Sequence, residues 1–219
     1  TMIEREELEI TRRWFAAHVD RHLTGAPPAD LEVQVRAAHS LRVAELCTRI
    51  GRGEGLAPGK VRLLRVLGLV HDAGRFEQFR RHGQCDDQRT EDHALLGVQV
   101  LHRDSLLTCF SPAAAEILVR GVLYHNRIRL PRQEEPALPF ARLLRDGDKL
   151  DILARVVRAR REGRPPGPPW HRLSPAPRLS PEVLAAAAAD RAIPLISLRT
   201  RADLDLLRLC WLGELTSAA

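Results

Sequence analysis

The sequence predicts an all-α fold. Apolar residues recur at spacings of three and four along most of the 219 residues, the period of helices with one buried face. No stretch alternates β-branched residues between hairpin turns. Helix-start signals recur as well. Ser111-Pro112 and Ser180-Pro181 each set a capping hydroxyl before a proline suited to a first turn.

The pattern predicts eight helices, over 2–23, 31–52, 58–72, 90–104, 112–125, 135–162, 181–190 and 201–215. In the first, His18 and His22 lie four apart and read as a solvated face. The second carries the stripe Val35, His39, Val43, Leu46, Ile50. The third carries Leu64, Leu67 and His71, ends at His71-Asp72, and is expected to break at Gly74. The fourth has Thr90 as its expected cap, acids at Glu91 and Asp92, and the stripe His93, Leu96, Val100. The fifth carries Leu118, Gly121, His125, and the sixth Leu144, Asp148, Ile152. The seventh holds the alanine run Ala185–Ala189, a good helix composition. The eighth shows an apolar face of Leu204, Leu207 and Trp211.

Residues 163–181 hold seven of the fifteen prolines and read as a linker or a strap. They divide a main body, 1–162, from a tail, 182–219. The tail is short for a core of its own and is expected to pack back on the body.

Composition narrows the function classes. A hydrophobic fraction of 44% is that of a globular protein. No apolar run reaches the ~18 residues of a membrane span, and the charged start, with Glu4 and Arg5, is unlike a secretory leader. The scattered Cys47, Cys85, Cys109 and Cys210 form no C-x-x-C pair, which favours reduced thiols in a cytoplasm. The net charge of +6 comes from arginines spread along the chain, often beside acids, with only Lys60 and Lys149 as lysines. Aromatics are few and do not interleave with the basic residues, so nucleic-acid binding is not the expected role.

Five apolar helix faces each carry a polar intruder: His39, His71 with Asp72, His93, His125 and Asp148. One histidine on such a face is ordinarily a satisfied core residue. Four histidines and two aspartates in one core would each need a partner, and burying them unpaired costs several kcal/mol apiece. A metal centre satisfies them together, because imidazole nitrogen and carboxylate oxygen suit Mn, Fe, Co, Ni, Zn or Mg. The remaining His82, His102 and His171 lie in polar or linker contexts. Asp146 and Asp151 compete with Asp148 for the late position.

At these residues the sequence resembles the HD-domain superfamily of metal-dependent phosphohydrolases. His39, the dipeptide His71-Asp72 and a late aspartate match its H…HD…D order, and the extra His93 and His125 resemble the subset with two metals. The likeness spans roughly residues 31–155 and is silent beyond 163. It implies an HD-like helical bundle, followed here by the proline-rich strap and short C-terminal helices. It implies that His39, His71, Asp72 and Asp148 hold one divalent ion and that Asp72, His93 and His125 hold a second, with Asp72 bridging. Asp148 is chosen over its neighbours because it precedes Lys-Leu, as the family's closing aspartate does.

Two metal ions about 3.5–4 Å apart clamp both oxygens of an in-line displacement and activate a water. The expected activity is therefore hydrolysis of a phosphate ester or anhydride of a small phosphorylated molecule, foremost a nucleotide. Asp72, Arg75 and Lys149 are the expected catalytic residues. Arg75, Lys149 and Arg127 are candidate phosphate clamps, and Asp87 and Asn126 are weaker candidates for a water or substrate contact. A regulatory ligand-binding module without turnover is the alternative, and a nuclease has only the net charge behind it.

Overall fold

Proline, glycine and short acids punctuate the helices of the computed structural model, which describes residues 2–165 and 172–217. In chain order these are α1 (Arg5–Asp20), α2 (Pro27–Gly53), α3 (Pro58–Val70), α4 (Ala73–His82), α5 (His93–Arg103), α6 (Pro112–His125), α7 (Leu138–Arg161), α8 (Pro181–Ala188) and α9 (Arg201–Gly213). Short 3-10 turns occupy Leu106–Cys109 and Leu195–Ser197. No β-strand occurs among the described residues, so the all-α expectation stands. His171 and part of the proline-rich strap fall outside the described residues.

Several boundaries differ from the expected ones for local reasons. α2 starts at Pro27 rather than 31, because Pro27-Pro28 can occupy a first turn whose N–H groups need no partner. α5 is capped by Asp92, whose carboxylate accepts from Ala94 N at 2.9 Å and Leu95 N at 3.4 Å. Thr90, the expected cap, instead donates its hydroxyl to the Asp86 carbonyl.

The largest departure is α4. The expected break at Gly74 does not occur. α3 ends at Val70, His71 and Asp72 make the turn, and a new helix begins at Ala73. Gly74 is needed for approach rather than for breaking. A Cβ there would lie 2.1 Å from the His93 carbonyl oxygen and 2.4 Å from Gly97 N, so α4 and α5 meet backbone to backbone. Periodicity hid α4 because Phe76, Glu77 and Gln78 are all buried, and two of the three are polar.

The structure divides into two compact units, Thr1–Asp148 with Ser217–Ala219, and Lys149–Thr216. In the first, α3 is central: Leu63, Leu64, Val66, Leu67 and Val70 have no exposed surface. Each such side chain contributes about 1.5–3 kcal/mol. α2 packs against α3 so closely that a Cβ on Gly68 would meet Ala44 Cα at 2.7 Å. This places the C-terminal end of α3, and hence His71, inside the unit. Cys47 joins the same core, where burial pushes its thiol pKa up and leaves it inert.

His18 and His22 correct the sequence reading. Both are buried, against Trp14 and Phe76, and neither lies on a solvated face. His22 Nδ1–H donates to the His18 carbonyl at 2.7 Å, and its Nε2 lies 3.5 Å from buried Glu77.

The second unit has a small apolar cluster of its own. Val183, Ile193, Leu198, Leu204 and Leu207 form a small buried cluster. Asp203 ties it together, accepting from the backbone of Ser180, Arg199 and Thr200 and from the Ser180 hydroxyl.

Candidate metal centre

Four helices and one turn deliver the polar residues to a common point. His39 comes from the middle of α2, His71 and Asp72 from the turn after α3, and His93 from the first position of α5. His125 comes from the last position of α6 and Asp148 from α7. Helix ends and two mid-helix positions thus meet in the first unit.

Asp72 sits at the centre. Its Oδ1 lies 3.3 Å from His93 Nε2 and 3.7 Å from His125 Nε2. Its Oδ2 lies 3.9 Å from both His39 Nε2 and His71 Nε2. Asp148 Oδ1 completes the second group, 3.1 Å from His39 Nε2 and 3.9 Å from His71 Nε2. Each oxygen of Asp72 therefore faces a different histidine pair.

The tautomers follow from what each Nδ1 meets. His71 Nδ1–H donates to the Gly68 carbonyl at 2.8 Å and His125 Nδ1–H to the Val122 carbonyl at 2.6 Å. His93 Nδ1–H donates to Asp87 Oδ2 at 2.6 Å. Carbonyl and carboxylate oxygens only accept, so the protons are on Nδ1 and each Nε2 presents a lone pair. His71 Nε2 is buried with no hydrogen-bond partner. His93 Nε2 and His125 Nε2 face each other at 3.0 Å. With both tautomers so set, lone pairs converge there with Asp72 Oδ1 and no donor stands between them. Such an arrangement fits a cation, and the donor set of imidazole and carboxylate suits a divalent metal ion.

Burial alone would raise the pKa of Asp72, but the surrounding imidazoles of His71, His125 and His93 hold it well below the usual range. Burial likewise opposes ionisation of Asp148, and donation from His39 holds it down at about 2. Both carboxylates are anionic at neutral pH. Burial and Arg75 push the His93 pKa down, and Asp72 and Asp87 more than reverse this. Burial dominates at His71 and lowers it to about 4, which keeps its Nε2 unprotonated at neutral pH.

Around this centre lies a set of residues whose roles the sequence did not show. Asp87 grips His93 and also accepts from Arg75 Nη1 at 2.6 Å and Gln78 Nε2 at 3.0 Å. Arg75 Nη1 reaches Gln78 Oε1 at 2.9 Å, and its Nε lies 3.7 Å from Asp72 Oδ1. Recognising α4 was the missing step. Once Ala73–His82 is a helix, Arg75 and Gln78 share the face that starts at Asp72.

The other expected residues are placed as follows. Of the three late aspartates, Asp148 faces His39 and His71. Asp146 accepts from Ser217 N at 2.8 Å, and Asp151 pairs with Arg155 at 3.2 Å. Lys149 is buried and its ammonium pairs with Glu214 within the second unit. Asn126 Nδ2 donates to the capping Asp92 at 3.0 Å, and its Oδ1 is buried without a partner. Arg127 is exposed and its carbonyl accepts from Arg145.

The family model of the HD domain matches residues 36–192. The chain belongs to the HD-domain family. All six converging residues lie inside the match, and His18 and His22 lie before it. Membership places this HD domain among metal-dependent phosphohydrolases, all-α proteins that bind divalent ions. No curated protein and no solved structure shows a significant match to the chain. No described helix of this HD domain is long and apolar enough to cross a membrane.

Proposed function

We propose that this HD domain hydrolyses a phosphate ester or anhydride of a small phosphorylated molecule, foremost a nucleotide, with two divalent ions. The observation that carries the reading is the division of Asp72. One oxygen faces His93 and His125, the other His39 and His71 with Asp148, so a single carboxylate belongs to two ligand groups. Divalent ions in these two positions supply an activated water and positive charge for the phosphoryl group.

The chain's own residues do the rest. Asp87 holds His93 with its Nε2 toward the centre, as an acceptor on the far nitrogen of a metal-binding imidazole does. The backbone carbonyls of Gly68 and Val122 do the same for His71 and His125. Arg75 steadies Asp72 and Asp87, while its Nη2 has no partner among the described residues. That free donor is proposed to meet a phosphoryl oxygen. Lys149 follows Asp148 and is the second proposed cation, with Glu214 as its partner in the absence of phosphate. Asn126 and Arg127 are proposed to line the substrate side from the end of α6.

The test is metal analysis together with a phosphate-release screen of nucleotides and sugar phosphates, each with several divalent metals. Two ions per chain and release from one substrate class are expected. Two ions bound with no release from any substrate would favour a regulatory ligand-binding module. No bound ion after reconstitution with Mn or Fe would remove the reading.

A further inference from the structure

His18 is fully buried in α1, where the helix pattern alone called for a solvated residue. A buried imidazole needs partners for its nitrogens. Arg21 Nη2 donates to Nδ1 at 3.3 Å, which puts the ring proton on Nε2. That Nε2–H donates to the Ala73 carbonyl at 3.1 Å. Trp14 stacks on the ring, with centroids 5.0 Å apart and planes at 15°. Phe76 meets it edge-on, at 5.2 Å and 78°. Trp14 Nε1 and Arg21 both bind Asp104, at the end of α5. The imidazole is therefore held on a face, on an edge and at both nitrogens. Burial, with the neighbouring His22 next in importance, lowers its pKa to about 4, so it is neutral at pH 7.

The Ala73 carbonyl belongs to the residue directly after Asp72. Asp72 stands on a two-residue turn between α3 and α4, and its two oxygens face separate histidine pairs. A small tilt of the backbone at 72–73 moves both oxygens at once. Displacements near 1 Å at such a point are costly to catalysis. A core role alone would be filled as well by phenylalanine, which packs without a donor. The geometry points to His18 as a positioning residue that fixes the Asp72 turn from α1 and so tunes both ligand groups together. This inference rests on the two-ion reading above. It concerns a residue that precedes the matched HD-domain region.

The experiment compares full-length wild type with His18→Phe and His18→Gln, loaded with Mn²⁺. Mn²⁺ dissociation constants are measured by calorimetry, melting temperatures alongside, and kcat and KM on p-nitrophenyl phosphate. Gln can set an amide N–H near the place of Nε2–H, and Phe cannot. In His18→Phe both Mn²⁺ sites should weaken together, by about tenfold or more, the range seen when supports of metal ligands are removed. His18→Gln should recover most of the loss, to within roughly threefold of wild type. Wild-type Mn²⁺ affinity in His18→Phe overturns the proposal. So does weakening of one site only, or an equal loss in both variants that follows melting temperature. If His18→Phe does not fold, Arg21→Met carries the test, since Arg21 is half exposed and its removal frees Nδ1. Both sites should then weaken severalfold at an unchanged melting temperature, and wild-type affinity there overturns the proposal. If wild type itself binds no Mn²⁺, the two-ion reading has failed and this inference goes with it.

Discussion

Asp87→Ala is the most direct probe of how the centre is supported. Asp87 accepts His93 Nδ1–H at 2.6 Å, and a hydrogen bond to a charged acceptor contributes about 1.5–3 kcal/mol. The Asp87 side chain is 31% exposed, so solvent screening puts the value near the lower end, about 1.5 kcal/mol, or roughly tenfold in affinity. A second effect acts in the same direction. Arg75 loses its carboxylate partner while its Nε stays 3.7 Å from Asp72 Oδ1, so its charge turns toward an oxygen that a cation needs. Together these place the expected loss at about 10–100-fold for the ion proposed to sit among Asp72, His93 and His125. The site built from His39, His71 and Asp148 should change little, because Asp87 touches none of these residues in the structure. Mn²⁺ calorimetry resolves the two sites, and Asp87→Asn, which keeps an acceptor, should lose less. Unchanged affinity at the weaker site, or an equal loss at both, would refute the assignment of Asp87 to His93.

The remaining expectations test the bridge, the packing, the clamp and the acid response. Asp72→Ala should lose both ions and all hydrolysis, whereas His93→Ala should lose chiefly one ion, as read by metal content per chain. Gly74→Ala would place a methyl 2.1 Å from the His93 carbonyl, and its three nearest contacts there are all backbone. A loss of at least about 3 kcal/mol is expected from denaturant titration, beyond ordinary overpacking. Arg75→Ala and Lys149→Ala should lower kcat/KM by about 10²–10³-fold while Lys149→Ala keeps both metals; wild-type efficiency in both would send the search for the clamp to Arg127. His18 has a folded pKa of about 4 against an ordinary 6.5, so the unfolded chain binds more protons between those values. Stability therefore falls as pH drops from 6.5 toward 4. The melting temperature of His18→Gln should fall less steeply than that of wild type over that window.

The sequence disclosed the centre better than it disclosed the frame. Ligand candidates were legible because His39, His71, His93, His125 and Asp148 each interrupt an apolar stripe, and a polar residue at a core position stands out against its period. These five, with Asp72 beside His71, could not all be ordinary core residues. Spacing alone did not separate Asp148 from Asp146 and Asp151, and the choice of Asp148 rested on its place before Lys-Leu. One residue of shift on a helix turns a side chain by about 100°, and all three aspartates sit on one short stretch of α7. α4 was invisible because its buried face carries Glu77 and Gln78, which a hydropathy pattern counts as exposed. His18 and His22 were misread for the same reason. Their neighbours Trp14 and Phe76 form a polar-aromatic pocket, in which imidazole is at home but hydropathy gives no sign of it.

These misses share one cause, and it bears on how the site is built. A turn of two residues between α3 and α4 has too few backbone hydrogen bonds of its own to fix the Asp72 carboxylate. Rigidity must come from outside the turn. On one side Arg75, Gln78 and Asp87 form a charged network that ends on His93. On the other, His18 reaches from α1 to the Ala73 carbonyl, with Trp14, Arg21 and Asp104 behind it. Both supports must be polar, since only hydrogen bonds have the direction needed to set an angle. Both must be largely buried, since water would compete for the same groups. Residues meeting those two demands are the ones a hydrophobic pattern ranks as surface. The candidate ligands announce themselves by breaking a stripe, while the groups that aim them look like solvated helix until the packing is known.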